Sequence, residues 1–126
     1  SAENPVYYVQ YAHARIAGIL ANAEERGATH DGADLAQLTH PSELELIRKM
    51  LGLPELVHLM ARQQEPHHLP HYAQDLAGAF HTFYTDCKVL SDDVALTKAR
   101  LRLCAAAKVT LARALTLMGM STPERM

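Results

Sequence analysis

Three of the seven aromatic residues in the chain, Tyr7, Tyr8 and Tyr11, fall within five positions, and Arg15 follows about one helical turn after Tyr11. In a helix, Tyr8, Tyr11 and Arg15 stand at i, i+3 and i+7 and share one stripe. Tyrosine rings and a guanidinium plane offer flat faces to an unstacked nucleobase, which is how proteins usually take hold of single-stranded RNA loops. Tyr84 adds a further ring on a later helical stretch. The same stripe also suits the edge of a packing face, where a tyrosine buries its ring and keeps its hydroxyl wet. Gln10 carries an amide able to bond a base edge, but the ~100° helical step turns it well away from the stripe.

Other chemistry finds little support. Eight histidines invite a metal reading, above all His67, His68 and His71. Pro70 interrupts the helix that would put His67 and His71 on one face, no HExxH occurs, and carboxylates nearby are sparse, so no metal site is expected. His13 and His81 lie on amphipathic patterns and read as hydrogen-bonded helix residues rather than catalytic bases. Serine, histidine and aspartate are present without a nucleophile elbow, and there is no Gly-rich loop to cradle phosphate. Cys87 and Cys104 lie far apart within helical patterns and read as buried thiols, not as a zinc knuckle or a disulfide framework.

Positioning these residues falls to a single all-α domain, expected as an antiparallel bundle of about five helices. The 126 residues suffice for one modest core, and Ala and Leu dominate over Val and Ile, favouring helix. Asn4 as N-cap with Pro5 at the first helical position opens helix one, which stops at Gly27. Its core face is Val9, Ala12, Ile16, Ile19, Leu20 and Ala23, a quarter turn from the tyrosine stripe. Residues 27–40 read as loop with one helical turn around Ala33–Leu38. Ser42 with Glu45 reads as a capping box for a helix of residues 43–51. Gly52 and Pro54 separate it from a helix of residues 55–64, and Pro66 and Pro70 bracket the next connection. A fourth helix runs from Pro70 to about Lys88. Ser91 or Asp92 caps the last, which buries Leu96, Ala99, Leu103, Ala107, Thr110, Ala114 and Leu117 and closes at Gly119; the remaining tail is expected to fold back.

The net charge of −2 hides an uneven distribution. Residues 1–87 carry five Lys/Arg against eleven Asp/Glu, whereas residues 88–126 carry seven against three. A basic C-terminal third can meet phosphates, although solvated helix-surface charges give the same pattern. No apolar run approaches the roughly 18 to 20 residues of a membrane span, and no secretory leader is apparent. A soluble, cytoplasmic protein is expected.

The string Asn4-Pro-Val-Tyr-Tyr-Val-Gln-Tyr-Ala-His-Ala-Arg15 resembles the opening of the C-terminal anticodon-binding domain, the DALR domain, of class I arginyl-tRNA synthetases. Three later stretches agree in order: Phe80-His-Thr-Phe83-Tyr84-Thr-Asp-Cys87-Lys-Val89-Leu90, Ala99-Arg100-Leu101-Arg-Leu103, and the terminal Leu117-Met118-Gly119-Met120-Ser-Thr-Pro123-Glu124-Arg125-Met126. Residues 27–70 add little, and the literal Asp-Ala-Leu-Arg is replaced by Asp93-Val94-Ala95-Leu96.

The resemblance implies a helical bundle that grips the anticodon stem-loop of tRNA(Arg), with Tyr8, Tyr11, Arg15, Tyr84 and Met126 near the loop. It also implies a parent arginine–tRNA ligase that uses ATP and Mg²⁺. The HIGH and KMSKS-type motifs of its catalytic domain are absent here, so residues 1–126 are expected to be the anticodon-binding domain alone, without cofactor or catalysis of its own. Every arginine codon has G in the middle, so every cognate anticodon has a central C. Stacking supplies about 1–3 kcal/mol per base but accepts any base. Discrimination then needs hydrogen bonds to the cytosine edge, for which backbone amides or Arg15 are candidates. The competing expectation is a protein-interaction module that uses the tyrosine stripe as its interface.

Overall fold

The computed structural model describes residues 4–64 and 68–126; Pro66 and His67, invoked above for a connection and a metal, lie outside the described residues. Five helices follow in order: α1 (Pro5–Glu25), α2 (Pro41–Leu51), α3 (Leu53–Gln63), α4 (His68–Asp86) and α5 (Val94–Leu117), with a 3₁₀ turn at Leu35–Gln37. The fold is all-α, as the composition predicts. Among the described residues no helix is long and apolar enough to cross a membrane.

The helix ends show where local chemistry wins. Asn4 caps α1, its side chain accepting from Val6 N at 2.9 Å, with Pro5 first in the helix. Gly27 and Gly119, both at φ near +70°, close α1 and α5 with the paired backbone bonds of a Schellman motif. The capping box of α2 is shifted two residues from the expected Ser42/Glu45 pair. His40 Nδ1 accepts from Ser42 N at 3.0 Å, and Glu43 Oε1 accepts from His40 N at 2.9 Å. This register puts Pro41 at the first helical position, where its missing N–H costs nothing. It also frees the Ser42 hydroxyl to donate to Asp86 on α4. Pro54 and Pro70 fall inside the first turns of α3 and α4, so these helices start earlier than expected. First-turn N–H groups have no partner within the helix to lose. Asp93, rather than Ser91 or Asp92, caps α5 by accepting from Leu96 N at 3.1 Å.

The core gathers Val9, Ala12 and Ile16 of α1, Leu46 of α2, Leu76, Phe80 and Phe83 of α4, and Leu101, Leu103, Cys104, Leu111 and Leu115 of α5. Because α5 packs against α1, α2 and α4 together, its buried surface is broader than the single predicted stripe. Leu101, Cys104, Leu111 and Leu115 join it, whereas Leu117 is exposed and Leu96 and Thr110 are half-buried. Both cysteines are buried free thiols, and burial pushes the Cys104 thiol up to about 12. Glu43 is buried and accepts from Arg100 Nε at 2.7 Å; Arg100 Nη1 in turn donates to Lys88 O at 2.7 Å. That cluster ties α2 to the α4–α5 connection.

Neighbour directions matter for the site. Ser42 at the start of α2 meets Asp86 at the end of α4, so these two run antiparallel. Gln10 near the start of α1 meets Ser121 beyond the end of α5, so that pair is antiparallel as well. Residues 27–64, with α2 and α3, lie between α1 and α4 in the chain. Tyr8 lies beside His81, Arg15 beside Tyr84, and α1 and α4 run side by side in the same direction.

Candidate nucleic-acid interface

The α1 stripe faces α4. Tyr8, half-buried, has its ring centre 5.2 Å from that of His81; Tyr11, 41% exposed, lies 5.8 Å from the same imidazole. The Arg15 guanidinium sits 4.4 Å from the centre of the Tyr84 ring and 5.9 Å from that of Tyr11. Tyr84 packs on buried Phe80, ring centres 6.0 Å apart and planes within 24°. Tyr7, Tyr8, Tyr11, Arg15, His81 and Thr85 line an open cleft of about 560 Å³, and Tyr84 stands at its border beneath Arg15. Four predicted residues, Tyr8, Tyr11, Arg15 and Tyr84, are therefore brought together. Among the described residues no carboxylate pairs with Arg15, so its charge is available to a ligand.

Met126 is exposed and does not line this cleft. The tail folds back on another side of α1. Gln10 Nε2 donates to Ser121 O at 3.2 Å and to its hydroxyl at 3.1 Å, His13 Nδ1 lies 2.7 Å from Pro123 O, and Lys108 Nζ meets Glu124 at 3.0 Å. By the ~100° step, Gln10 and His13 point to the flank opposite the tyrosines, with the core face between. Gln10 is thus spent on the tail, and His13 is hydrogen-bonded as expected.

His81 departs from expectation. Its Nε2 is buried and has no hydrogen-bond partner among the described residues. Burial, together with the positive charge of Arg15, pushes its pKa below the ordinary 6.5, which favours the neutral ring. The sequence held the signal: His81 precedes Tyr84 by three positions and so shares its face of α4. Tyr7, a member of the same aromatic cluster, lines the cleft as well. A family model described as the DALR anticodon binding domain matches residues 9–126.

The chain belongs to that family. It is 60% identical over its whole length to an arginine–tRNA ligase of Dehalococcoides mccartyi, and 50% identical to one of Heliobacterium modesticaldum. It spans 23% and 24% of those two proteins, about a quarter of the curated relatives it matches. Among solved structures, the arginyl-tRNA synthetase of Thermus thermophilus superposes with TM-score 0.86 at 36% identity. All of the present chain is covered, against 22% of that one. An arginyl-tRNA synthetase structure from Campylobacter jejuni gives the same score at 30% identity, over 27% of its length.

In this DALR domain three of the seven cations of the basic C-terminal third are committed to the fold. Arg100 is held by Glu43, Arg102 donates to His30 Nδ1 at 2.9 Å and to its carbonyl at 3.2 Å, and Lys108 pairs with Glu124. The charge asymmetry in the sequence therefore overstates the cations left for phosphates. Lys88 lines a second groove with Arg26, which begins at Tyr84 and continues away from the tyrosine cleft.

Proposed function

We propose that this DALR domain grips the anticodon loop of tRNA(Arg), with Tyr8, Tyr11, Tyr84 and Arg15 as the stacking platform for splayed bases. One observation carries the proposal: three exposed or half-exposed tyrosines converge on an open cleft where α1 and α4 run side by side, with a guanidinium that no carboxylate pairs with among the described residues. A platform of that kind holds any base by its π-face, and its location on two packed helices keeps the geometry in place before RNA arrives. Met126 is assigned a separate contact with the loop region, carried over from the family resemblance.

The domain of residues 1–126 acts within a longer arginine–tRNA ligase, a cytoplasmic enzyme that joins arginine to tRNA. Its partners are the tRNA(Arg) anticodon stem-loop and the catalytic domain of the same chain. ATP and Mg²⁺ do not fit the residues here. Among the described residues no three metal-ligating side chains gather, and the sequence has no Gly-rich phosphate loop. Both are assigned to that catalytic domain.

The deciding experiment titrates the 126-residue chain with a tRNA(Arg) anticodon stem-loop and with the same stem-loop carrying a central U. Preference for the central C is expected, together with weakening as salt rises from about 50 to about 200 mM. Equal affinity for the two loops would refute anticodon reading.

A further inference from the structure

A stacking platform cannot tell cytosine from uracil, because both present the same flat face. Their hydrogen-bonding edges differ at two groups: cytosine carries an amino donor and an accepting N3 where uracil carries a carbonyl acceptor and an N3–H donor. Reading cytosine by its amino group therefore requires an acceptor. Arg15 has five N–H donors and no acceptor, so it can favour cytosine only through N3 and cannot read the amino group. The tyrosine hydroxyls both donate and accept, and can rotate to satisfy either base.

Of the other side chains lining the cleft, Thr85 already donates its hydroxyl to His81 O at 2.9 Å. His81 Nε2 is buried beside the rings of Tyr8 and Tyr11 without a partner among the described residues. Buried polar groups are nearly always bonded, so an orphan in a native fold calls for a reason. In a neutral imidazole one ring nitrogen carries the proton and the other carries an accepting lone pair. The ring sits in the wall of the tyrosine cleft, beside Tyr11, the more exposed of the two neighbouring rings.

We propose that His81 Nε2 is the acceptor that takes the amino group of a cytosine inserted among the tyrosines, and so selects C over U. This rests on the anticodon-binding function proposed above. The orphan nitrogen gains its missing partner only when the correct base arrives. With uracil the carbonyl oxygen would face the imidazole lone pair, leaving two acceptors opposed. Arg15, on α1, is the charged group facing His81; Tyr8 and Tyr11 face it from the same helix, and Phe80 packs beside it on α4. Burial, and secondarily the guanidinium, discourage a second proton on the ring and so keep one nitrogen's lone pair available.

The test uses three stem-loops, with central C, central U, and a central pyrimidin-2-one nucleotide that lacks only the 4-amino group. Wild-type chain is expected to bind the C loop about ten- to a hundredfold more tightly than either of the others. His81→Phe keeps a flat ring and removes the acceptor. It should bring C-loop affinity down to that for U while U-loop affinity stays within about twofold. His81→Gln, which restores an acceptor at similar reach, should recover part of the preference. Helical circular dichroism and melting temperature check that the variants are folded.

Four outcomes separate the claims. If the wild type prefers C and His81→Phe keeps that preference, His81 is not the reader, although anticodon reading stands. If a folded His81→Phe loses C and U binding equally, the residue only packs the cleft and the proposal is overturned. If the wild type binds the pyrimidin-2-one loop as tightly as the C loop, the amino group is not read, whatever the variants do. If the wild type treats C and U alike, the anticodon function falls and this inference falls with it.

Discussion

Replacing Arg15 with lysine keeps the positive charge and removes the plane. The guanidinium lies 4.4 Å from the Tyr84 ring centre and 5.9 Å from that of Tyr11, at an exposed position. Cation–π contacts at such sites contribute about 0.5–1 kcal/mol, part of which an ammonium retains. The stability loss in Arg15→Lys is therefore expected below about 1 kcal/mol, a fall in Tm of under about 4 °C. If the plane carries a base, binding loses a stack of about 1–3 kcal/mol, a rise in Kd of about five- to 150-fold. The salt slope should stay unchanged, because the charge remains. Arg15→Ala should weaken binding at least as much and should lower the slope by about 0.7 if Arg15 also neutralises a phosphate of the single-stranded loop. Fluorescence titration of the C stem-loop at several salt concentrations reads both quantities. The stacking role is refuted if Arg15→Lys binds as tightly as wild type while Arg15→Ala loses affinity and slope, since Arg15 would then be a phosphate contact only.

Two further outcomes bear on the scaffold and on His81. Glu43→Ala leaves Arg100 without its carboxylate and His40 N without its acceptor, so a loss of about 3–5 kcal/mol is expected from urea unfolding. A loss below about 1 kcal/mol would mean that the buried pair does not organise α2 against the α4–α5 connection. The His81 ring has its pKa lowered in the folded chain relative to 6.5, so the unfolded chain binds the proton more readily. Stability attributable to this residue is fully present above about pH 6.5 and is lost as pH falls below it. His81→Phe should therefore show a shallower decline in Tm than wild type between about pH 7 and about pH 5. Parallel declines would show that His81 protonates equally well in both states.

Much of the bundle was legible because it rests on local rules. Asn4-Pro5, Gly27 and Gly119 announced helix ends through capping and left-handed backbone geometry, and the 3.6-residue period placed Val9, Ala12 and Ile16 in the core. What escaped depended on partners distant in sequence. His40 capped α2 because burying Ser42 against Asp86 and placing Pro41 at the first helical position favoured that register over Ser42/Glu45. The breadth of the α5 core face followed from having three neighbouring helices, which periodicity within one helix does not reveal. At the site, the tyrosine stripe was visible, but its ring partner was not. His81 looked like an ordinary helix histidine until the shared direction of α1 and α4 laid it against Tyr8 and Tyr11. Likewise the basic third has less freedom than its composition suggests, because Arg100, Arg102 and Lys108 are bonded within the fold.

The three sides of α1 have distinct tasks, and their separation bears on how affinity and choice are divided. Val9, Ala12 and Ile16 fix the helix in the core, while Gln10 and His13 bind the folded-back tail on one flank. Held on those two sides, the helix presents Tyr8, Tyr11 and Arg15 on the third with little left to order when RNA binds, which lowers the entropic cost of association. That platform is indifferent to base identity, because stacking is. The groups able to accept a hydrogen bond selectively lie elsewhere, and in this cleft the unsatisfied one belongs to α4. Affinity and specificity therefore fall on different helices. Substitutions along the α1 stripe should weaken C and U loops together, whereas a change at His81 should alter their ratio. A variant of Tyr8 or Tyr11 that changed the ratio while sparing overall affinity would contradict that division and place the reading of the base on the rings themselves.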